Sequence, residues 1–472
     1  MLDNLLDVLY NGDNNLFYKL DNEEITYRES YNRVLRLSNN LKKQGNSPII
    51  IYGDKSVNTV IAILSCVVSK RCYIPIYKCT PIHRIKDIIK KTNTSLIISE
   101  DKLEVSDIEV LSVGQINNKY KDINTYYEND NKYAYVMFTS GSTGTAKGVP
   151  ISYDNLNNFI NWITNLEEFS DCNDINVLSQ ASFSFDLSVM DLYFSIYKNN
   201  SIIGITSENK SNLSIMYDVI KKNNINFLIL TPTLVKLLLV DNYFNSSNFD
   251  SIEYMFFCGE CLEVETVRKI REKFKNVIII NAYGPTEATC CVTLLEIEDY
   301  MLKEEYLPVG KLSNNAVDIS IDNNEIVLKG KSVFDGYLDI NSDNCYKEFD
   351  VSCYKTGDVG VIDGEYLYCK GRIDNQIKYM GYRIELGDIE NNLLKIDGVK
   401  DAVVICKYKE KTNIVKLIKA FVTTTKKINV EYIREKLFEL IPSYMIPKVI
   451  EIIDNIPVND NGKYDRKRLG KL

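Results

Sequence analysis

Apolar runs of strand length alternate with longer segments of helical periodicity up to about residue 300. The helical segments include VNTVIAILSCVVSK (57–70) and VETVRKIREKF (264–274). Strand followed by helix, repeated along the chain, predicts a doubly wound α/β fold with helices on both faces of the sheet. The strand-like runs are SPIIIYG (47–53), TSLIISE (94–100), YAYVMFT (133–139), INFLILT (225–231), YMFFCG (254–259) and VIIINAYG (277–284).

The pattern changes after about residue 300 to short strands separated by turn residues, as in DISIDNNEIVLKG and GVIDGEYLYCKG. The last hundred residues combine two helical patterns, IELGDIENNLLKI and VEYIREKLFELI, with two strands, AVVICKYK and KLIKAFVTT. We therefore predict a large N-terminal domain over residues 1–373 and a small α+β C-terminal domain over residues 374–472. No long low-complexity linker separates the two.

Composition and charge narrow the class of protein. The chain of 472 residues is 45% hydrophobic and 25% charged, which is typical of a globular protein of two or three domains. Its formal net charge of −8 gives no basic footprint, so we expect neither nucleic acid nor an anionic membrane surface as the main partner. No stretch approaches the roughly 20 apolar residues of a membrane span, so we expect no direct membrane insertion. The N-terminus, MLDNLLDVLY, is acidic and unlike a signal peptide, which predicts a cytoplasmic location.

Twelve scattered cysteines raise the question of a metal site. Cys258 and Cys261 have C-x-x-C spacing, but a structural zinc site needs two more ligands, and the chain contains one histidine, His83. We expect reduced thiols, most of them buried, and no zinc.

The stretch FTSGSTGTAKGV (138–149) concentrates Ser, Thr and Gly behind a predicted strand. Such a loop can hold phosphate with its backbone amides. It departs from the P-loop pattern, because Ala146 replaces the second glycine and Gly148 replaces the Ser or Thr that would bind Mg²⁺. By itself the loop leaves two alternatives open, a phosphate site and a surface turn rich in small residues.

Four further motifs follow the loop in order along the chain. They are NAYGPTEAT (281–289), YKTGDVG (354–360), GRIDNQIKYMGYRIE (371–385) and NDNGKYDRKRL (459–469). Each is weak alone, but in this order and spacing the sequence resembles the acyl- and aminoacyl-adenylate-forming enzymes over nearly its whole length. The resemblance implies doubly wound sheets with a distorted β-barrel portion in the large domain, and a mobile small domain.

The resemblance also implies the reaction. In this family, ATP and a carboxylic acid form an acyl-AMP and pyrophosphate, and a thiol then displaces AMP to give a thioester. Hydroxyl groups of the Ser/Thr/Gly loop and its lysine, a point charge suited to phosphate, are expected to hold the pyrophosphate. These loop residues are Thr139, Ser140, Ser142, Thr143 and Lys147. Ala146 stands where the family usually has proline, so a less stiff loop is expected.

Five residues from the following motifs take roles by the same resemblance. Tyr283 is expected beside the adenine and Thr286 at the α-phosphate. Glu287 is expected to bind Mg²⁺, an ion that prefers carboxylate and phosphate oxygens. Asp358 suits a pair of ribose hydroxyls, because a carboxylate accepts two hydrogen bonds. Arg372 is expected to fix ribose or phosphate.

The C-terminal motif supplies the expected catalytic cation. Lys463, by resemblance, lies between the attacking carboxylate and the α-phosphate, where an ammonium relieves the repulsion of two anions. Asp374 matches the hinge about which the small domain rotates between adenylate formation and thioester formation.

The substrate pocket is indicated by ASFSFDLSVMDLYFSI (181–196), which carries Asp186 where amino-acid-activating members of the family pair with the substrate ammonium. Cys258 matches a pocket cysteine, and Met190 and Cys290 are expected to line the pocket too. These residues leave little space, so the resemblance implies a small amino acid, with D-alanine favoured. Cys290 stands where we expect an aliphatic residue, which weakens the choice of D-alanine. Such a pocket discriminates poorly between similar amino acids, because one methylene group changes the binding free energy by only ~1–3 kcal/mol.

Three hypotheses remain open at this stage. The first is D-alanine activation with transfer to the phosphopantetheine thiol of a separate carrier protein. The second is the same chemistry with L-alanine, glycine, serine or β-alanine in a natural-product pathway. The third is a non-catalytic nucleotide-binding protein, which the presence of Lys463, Glu287 and Asp358 disfavours.

Overall fold

The computed structural model describes residues 1–105, 108–120, 130–141, 144–374, 376–379, 381–408, 415–457 and 464–470. Ser142, Thr143 and Lys463 lie outside these ranges.

Short strands and helices alternate along the first 300 residues, as the hydrophobic pattern predicts. The strands are β1 (Leu16–Leu20), β2 (Glu23–Thr26), β3 (Ile49–Gly53), β4 (Tyr73–Tyr77), β5 (Leu96–Ser99), β6 (Glu109–Leu111), β7 (Tyr133–Thr139), β8 (Lys147–Ser152), β9 (Asn176–Ser179), β10 (Ser201–Gly204), β11 (Phe227–Leu230), β12 (Tyr254–Phe257), β13 (Ile278–Tyr283) and β14 (Thr293–Glu296). The helices are α1 (Leu5–Asn11), α2 (Tyr27–Leu41), α3 (Val57–Val68), α4 (Ile82–Thr92), α5 (Val113–Lys119), α6 (Tyr153–Thr164), α7 (Leu187–Val189), α8 (Ser195–Tyr197), α9 (Leu213–Lys222), α10 (Pro232–Leu239) and α11 (Val264–Lys273).

Later elements are mostly strands, with helices returning near the C-terminus. The strands are β15 (Gly310–Lys311), β16 (Asp318–Asp322), β17 (Glu325–Lys329), β18 (Cys345–Glu348), β19 (Val351–Asp363), β20 (Tyr366–Arg372), β21 (Gln376–Tyr379), β22 (Tyr382–Glu385), β23 (Val399–Tyr408), β24 (Val415–Thr424) and β25 (Val449–Ile452). The helices are α12 (Leu386–Leu393), α13 (Val430–Leu440) and α14 (Arg466–Leu469).

Two twisted sheets form the centre of the large domain. One has the order β14-β13-β12-β11-β9-β10-β1-β2 and the other the order β6-β5-β3-β4-β7-β8. The inner strands are parallel, whereas β14, β2 and β8 pair antiparallel with their neighbours at the edges. Helices cover the sheets because the inner strands, such as β11 and β12, are apolar and buried along their whole length. The predicted doubly wound α/β fold is confirmed.

A third sheet is antiparallel and follows the order β15-β20-β19-β17-β16, with β18 paired to β19. The resemblance implied a distorted β-barrel here, but in the described part of the chain this sheet is open. Its last strand, β16, alternates exposed and half-buried residues, which is the pattern of an edge strand facing water. Its other edge, β15, is only two residues long.

The small domain packs α12 and α13 on the sheet β23-β24-β25. Ile389, Leu393, Val404, Ala420 and Leu437 are buried together in its own apolar core. The two-stranded hairpin β21–β22 precedes this unit and extends toward the large domain. The α+β class predicted for the C-terminal region is confirmed.

The single tryptophan ties two parts of the large domain together. Trp162 lies on α6, and its indole Nε1 donates a hydrogen bond to the carbonyl of Asn314, 3.0 Å away, in the segment leading to β16. Among the described residues, no helix has the length and apolar character needed to cross a bilayer.

Candidate active site

A cleft of about 980 Å³ opens where the large domain meets the β21–β22 hairpin. Tyr283, at the end of β13, lines it together with Asp358, Arg372 and Lys378. Ligands of open α/β sheets bind beyond the carboxyl ends of strands, and β13 ends at this cleft. The cleft therefore gathers residues from motifs that are far apart in the sequence.

The nucleoside side of the cleft is a hydrogen-bonded chain of side chains. The Tyr283 hydroxyl donates to Asp358 Oδ2 at 2.7 Å, and Arg372 Nη1 donates to Asp358 Oδ1 at 2.7 Å. Arg372 also makes a two-pronged contact with Asp374, with both distances 2.7 Å. Burial and the charge of Asp358 raise the pKa of Tyr283 well above its ordinary value, so this hydroxyl keeps its proton and remains a donor.

Glu287 lies on a single helical turn, Thr286–Ala288, directly after β13 and is fully buried. Its Oε1 accepts a hydrogen bond from the Tyr337 hydroxyl at 2.6 Å, and its Oε2 pairs with Arg383 Nη1 at 2.5 Å. Burial alone would raise the pKa of Glu287, but the charge of Arg383 and the Tyr337 hydrogen bond hold it below its ordinary value. The group is therefore a carboxylate at neutral pH.

Asp186 is a second buried carboxylate, and it contacts Thr286, the residue that precedes Glu287. It is 9% exposed, and the Thr286 hydroxyl donates to its Oδ2 at 2.6 Å. Burial raises the pKa of Asp186, with the Thr286 hydrogen bond opposing the rise. A buried carboxylate of this kind gains from a cationic partner, because a charge removed from water is otherwise poorly compensated.

Residues predicted to line the substrate pocket are buried in one apolar cluster with Asp186 nearby. Met190 lies on the π-helical segment Met190–Phe194, and Cys258 directly follows β12. A hydrogen bond with Cys291 tends to lower the pKa of Cys290, but burial and the charge of Asp186 raise it to about 11. The Cys290 thiol is therefore uncharged at neutral pH.

Two consecutive non-glycine residues beside this pocket adopt left-handed backbone conformations. Thr289 has φ 60° and Cys290 has φ 73°. This conformation costs roughly 1–2 kcal/mol for a residue with a side chain. The Thr289 hydroxyl donates to the carbonyl of Ser332 at 2.8 Å, which helps to hold the turn. Local sequence patterns gave no sign of it.

The Ser/Thr/Gly loop starts at Thr139, the last residue of β7, and ends at Lys147, the first residue of β8. The Ser140 hydroxyl donates to the carbonyl of Arg383 and accepts from the amide of Glu385, both at 2.9 Å. Lys147 Nζ lies 3.6 Å from Glu385 Oε1. The predicted phosphate-binding groups thus face a strand of the small domain.

Ala146, which stands where the family usually has proline, is held through its backbone. Lys91 on α4 donates from Nζ to the carbonyl of Ala146 at 2.6 Å. The predicted loop residues Ser142 and Thr143 lie outside the described residues.

Lys463 also lies outside the described residues, so its predicted catalytic role stays a prediction. The next residue, Tyr464, donates from its hydroxyl to Asp401 on β23 at 3.2 Å. Arg466 pairs with Glu390 on α12 at 2.7 Å. These contacts attach the beginning of α14 to strand β23 and helix α12 of the small domain.

Sequence reasoning assigned no role to several residues of the site. Arg383 and Glu385 lie at the end of the motif GRIDNQIKYMGYRIE (371–385), which could have drawn attention to them. Tyr337 lies outside the motifs that carry the family resemblance. Glu260 accepts from the amides of Thr233 at 2.9 Å and Gly381 at 2.7 Å, joining the hairpin to the start of α10.

A resident metal centre built from protein ligands alone is not present among the described residues, where no group of three or more His, Cys, Asp or Glu side chains could hold an ion. Glu287 offers one carboxylate beside the predicted phosphate loop. This donor set fits Mg²⁺, which usually binds one or two carboxylates and completes its shell with substrate phosphates and water.

Comparisons with known proteins extend over nearly the whole chain. The family model described as AMP-binding enzyme matches residues 10–338, and that described as AMP-binding enzyme C-terminal domain matches residues 388–463. A curated relative from Listeria monocytogenes, D-alanine--D-alanyl carrier protein ligase, is 36% identical over 92% of this chain and 90% of its own. A relative of the same name from Staphylococcus epidermidis is 33% identical over 96% of this chain and 94% of its own.

Solved structures show the same fold. The Vibrio cholerae adenylation domain AlmE in complex with glycyl-adenosine-5'-phosphate superposes with a TM-score of 0.83 at 21% identity, covering 99% of this chain and 96% of that one. The o-succinylbenzoate CoA synthetase of Bacillus subtilis gives a TM-score of 0.84 at 18% identity, covering 100% of this chain and 98% of that one.

Proposed function

The chain belongs to the AMP-binding enzyme family and is an AMP-forming ligase, and from this premise we propose that it activates a small amino acid, D-alanine first, for transfer to a carrier protein. ATP and the amino acid would form aminoacyl-AMP and pyrophosphate. The phosphopantetheine thiol of a separate carrier protein would then displace AMP. The names of the curated relatives support both the amino acid and the carrier.

One observation carries the proposal. The Thr286 hydroxyl joins Asp186 at 2.6 Å, and Glu287 is the next residue. An ammonium group held by Asp186 would therefore be close to the residue proposed to contact the α-phosphate. An α-amino acid has its carboxylate one carbon from its ammonium, so the reacting oxygen would lie where adenylate formation needs it.

The proposed roles follow from the chemistry of each group. Tyr283, Asp358 and Arg372 would orient the nucleoside, and Thr139, Ser140 and Lys147 would bind the departing pyrophosphate, together with Ser142 and Thr143. In adenylation a substrate carboxylate oxygen bonds to the α-phosphorus as the bond to the β-phosphate oxygen breaks. Lys463 would lower the repulsion between these two anionic groups.

Glu287 is the residue that would hold Mg²⁺, which would supply charge neutralisation of the phosphates when bound. Its buried position and its carboxylate state at neutral pH support this assignment. Tyr337 would orient the carboxylate through its 2.6 Å hydrogen bond.

We assign residues 1–373 to the large domain and residues 374–472 to the small one, with Asp374 as the hinge. Its contact with Arg372 would have to break or reorganise as the small domain rotates. Use of ATP supports a cytoplasmic site of action.

Amino-acid-dependent exchange of labelled pyrophosphate into ATP tests the proposal. We expect D-alanine to give the highest kcat/KM among D-alanine, L-alanine, glycine, serine and β-alanine. A lead for another of these acids would leave the chemistry standing and replace the substrate. Absence of exchange with any amino acid would overturn the proposed activity and favour a nucleotide-binding protein without catalysis.

A further inference from the structure

A lysine buried between the two large sheets lies under the segment that forms the proposed amino acid pocket. Lys55 comes directly after β3 and its turn, on the six-stranded sheet, and is 4% exposed. An ammonium group is rarely placed so deep in a protein unless other groups compensate its charge, because its removal from water is costly. The motifs that carry the family resemblance do not include this residue.

The Lys55 ammonium reaches the eight-stranded sheet through the hydroxyl of Ser179, the last residue of β9. Its Nζ donates to Ser179 Oγ at 2.6 Å, and that hydroxyl donates to Asp191 Oδ2 at 2.8 Å. Asp191 is fully buried on the π-helical segment Met190–Phe194, a type of turn often found at functional sites. The relay therefore holds the residue that directly follows Met190, which is proposed to line the pocket.

A second contact of the same ammonium reaches the other end of the pocket segment. Lys55 Nζ lies 4.4 Å from the centre of the Phe183 ring, within the range of a cation–π contact. Phe183 precedes Asp186 in the sequence and Asp191 follows it. Lys55 thus holds both ends of residues 183–191, the segment that carries the carboxylate proposed to bind the substrate ammonium.

Lys55 and Asp191 depend on each other for their charges. Burial lowers the pKa of Lys55, and the charges of Asp191 and Asp54 oppose this fall. The positive charge of Lys210 lowers the pKa of Lys55 further. Burial raises the pKa of Asp191, and the charge of Lys55 and the Ser179 hydrogen bond oppose this rise. Neutralising one partner alone therefore leaves the other poorly compensated, whereas removing both leaves no such charge.

We propose that Lys55 is a positioning residue of the amino acid site, which fixes residues 183–191 and so sets both the affinity for the amino acid and the size of the side chain that the pocket accepts. The proposal rests on the proposed function of Asp186 as the partner of the substrate ammonium. Lys55 acts on the substrate through Ser179 and Phe183, so its effect should be confined to the amino acid and should not extend to ATP.

Pyrophosphate exchange by the full chain with Lys55→Met gives the first test, because methionine keeps an unbranched apolar side chain without the charge. KM for the amino acid should rise by about tenfold or more, since small displacements of binding groups are costly, and KM for ATP should stay the same. The preference for D-alanine over D-2-aminobutyrate, which is longer by one methylene group, should fall by about tenfold as the pocket loosens. Equal rises in KM for ATP and for the amino acid, or no change in either, would overturn the proposal.

Ser179→Ala is a milder variant that removes only the relaying hydroxyl. It should raise KM for the amino acid by a smaller factor than Lys55→Met, again without changing KM for ATP. It also provides the test if Lys55→Met does not fold. An unchanged KM for the amino acid in Ser179→Ala would contradict the relay.

The double variant Lys55→Met with Asp191→Leu separates positioning from stability. Because both charges are gone, the urea midpoint of unfolding should return close to that of the unsubstituted protein. KM for the amino acid should stay raised, because Phe183 and the turn after Met190 have still lost their shared anchor. Recovery of the midpoint and of KM together would show that Lys55 is only a charge partner of Asp191, and the proposal would be wrong.

Lys70→Met is the matched control. The Lys70 ammonium lies 4.5 Å from the centre of the Tyr153 ring and pairs with Asp3 at 2.6 Å, so it also contacts one ring and has one carboxylate partner. Its substitution should leave both KM values unchanged. Exchange with an amino acid but no selective rise of KM in Lys55→Met would overturn the role of Lys55 alone. No exchange with any amino acid by the unsubstituted protein would overturn the proposed function on which that role rests.

Discussion

The two sides of the candidate active site differ in how their buried charges are balanced. On the metal and pyrophosphate side, Glu287 pairs with Arg383 and Lys147 pairs with Glu385, so the protein compensates its own charges. On the amino acid side, Asp186 has a hydroxyl partner in Thr286 and forms no ion pair within the described ranges of the chain.

This difference separates two ways of preparing a binding site. The balanced side is stable without ligand, and a ligand has to displace a partner that is already present. The unbalanced side keeps a buried carboxylate whose compensation comes from the substrate. Neutralising Asp186 should therefore stabilise the unliganded protein and weaken amino acid binding. Neutralising Glu287 should destabilise the unliganded protein.

The largest effect is expected from Asp186→Asn. Neutralising the carboxylate removes the partner of the substrate ammonium, and kcat/KM for amino-acid-dependent pyrophosphate exchange should fall by about 100-fold or more. The unliganded variant should nevertheless melt at a higher temperature, because a poorly compensated buried charge is gone. Asp218→Asn, on the exposed face of α9, is the control and should change neither quantity. Retained exchange activity would exclude the assigned role.

Glu287→Gln should act in the opposite direction on stability. It leaves the Arg383 guanidinium without its anionic partner, and we expect a loss of about 3–5 kcal/mol in the free energy of unfolding, measured with urea at pH 7. The double variant Glu287→Gln with Arg383→Met should recover most of that loss. A double variant as unstable as the single one would show that the pair does not balance its own charge.

The pH dependence of unfolding should distinguish the same two carboxylates. The folded pKa of Asp186 is raised from its ordinary 3.8, so its ionisation costs stability as the pH rises through the folded pKa. The folded pKa of Glu287 is lowered from its ordinary 4.5, so its contribution is present above 4.5 and is lost as the pH falls through the folded pKa.

At pH 7, Asp186→Asn should therefore have a higher free energy of unfolding than the unsubstituted protein, and Glu287→Gln a lower one. Both differences should shrink toward about pH 4 and below. Urea unfolding across that range measures them. Differences of equal sign, or differences that grow in acid, would contradict the assigned charge states.

The smallest effect is expected from Lys91→Met. This change removes the hydrogen bond to the carbonyl of Ala146 and should raise KM for ATP by about fivefold, the value of one net hydrogen bond. KM for the amino acid should stay the same, because Asp186 belongs to the other side. Lys90→Met, on the exposed face of α4, is the matched control. Equal changes in KM for ATP and in KM for the amino acid would contradict the division of the active site into a pyrophosphate side and an amino acid side.

Much of this architecture could be predicted from local patterns. The apolar runs at 225–231 and 277–284 became β11 and β13, and the IELGDIENNLLKI pattern became α12, because periodicity and burial are properties of short segments. The family inferred from the ordered motifs is confirmed by the matches over residues 10–338 and 388–463.

Partners distant in sequence could not be predicted in this way. Glu287 and Arg383 are 96 residues apart, and no local spacing relates a carboxylate on one domain to a guanidinium on another. The open third sheet depends on pairing between β19 and β20 and between β17 and β19, which the strand patterns alone do not specify. The left-handed turn at Thr289 and Cys290 is likewise imposed by its surroundings.

The hydrogen bond from Trp162 to Asn314 has a practical meaning for spectroscopy. As the sole indole in 472 residues, it makes intrinsic emission a reporter on the junction between α6 and the segment before β16. Unfolding of the small domain's core would change the tryptophan emission very little. Far-ultraviolet circular dichroism recorded beside the emission would reveal whether the two parts melt together or one after the other.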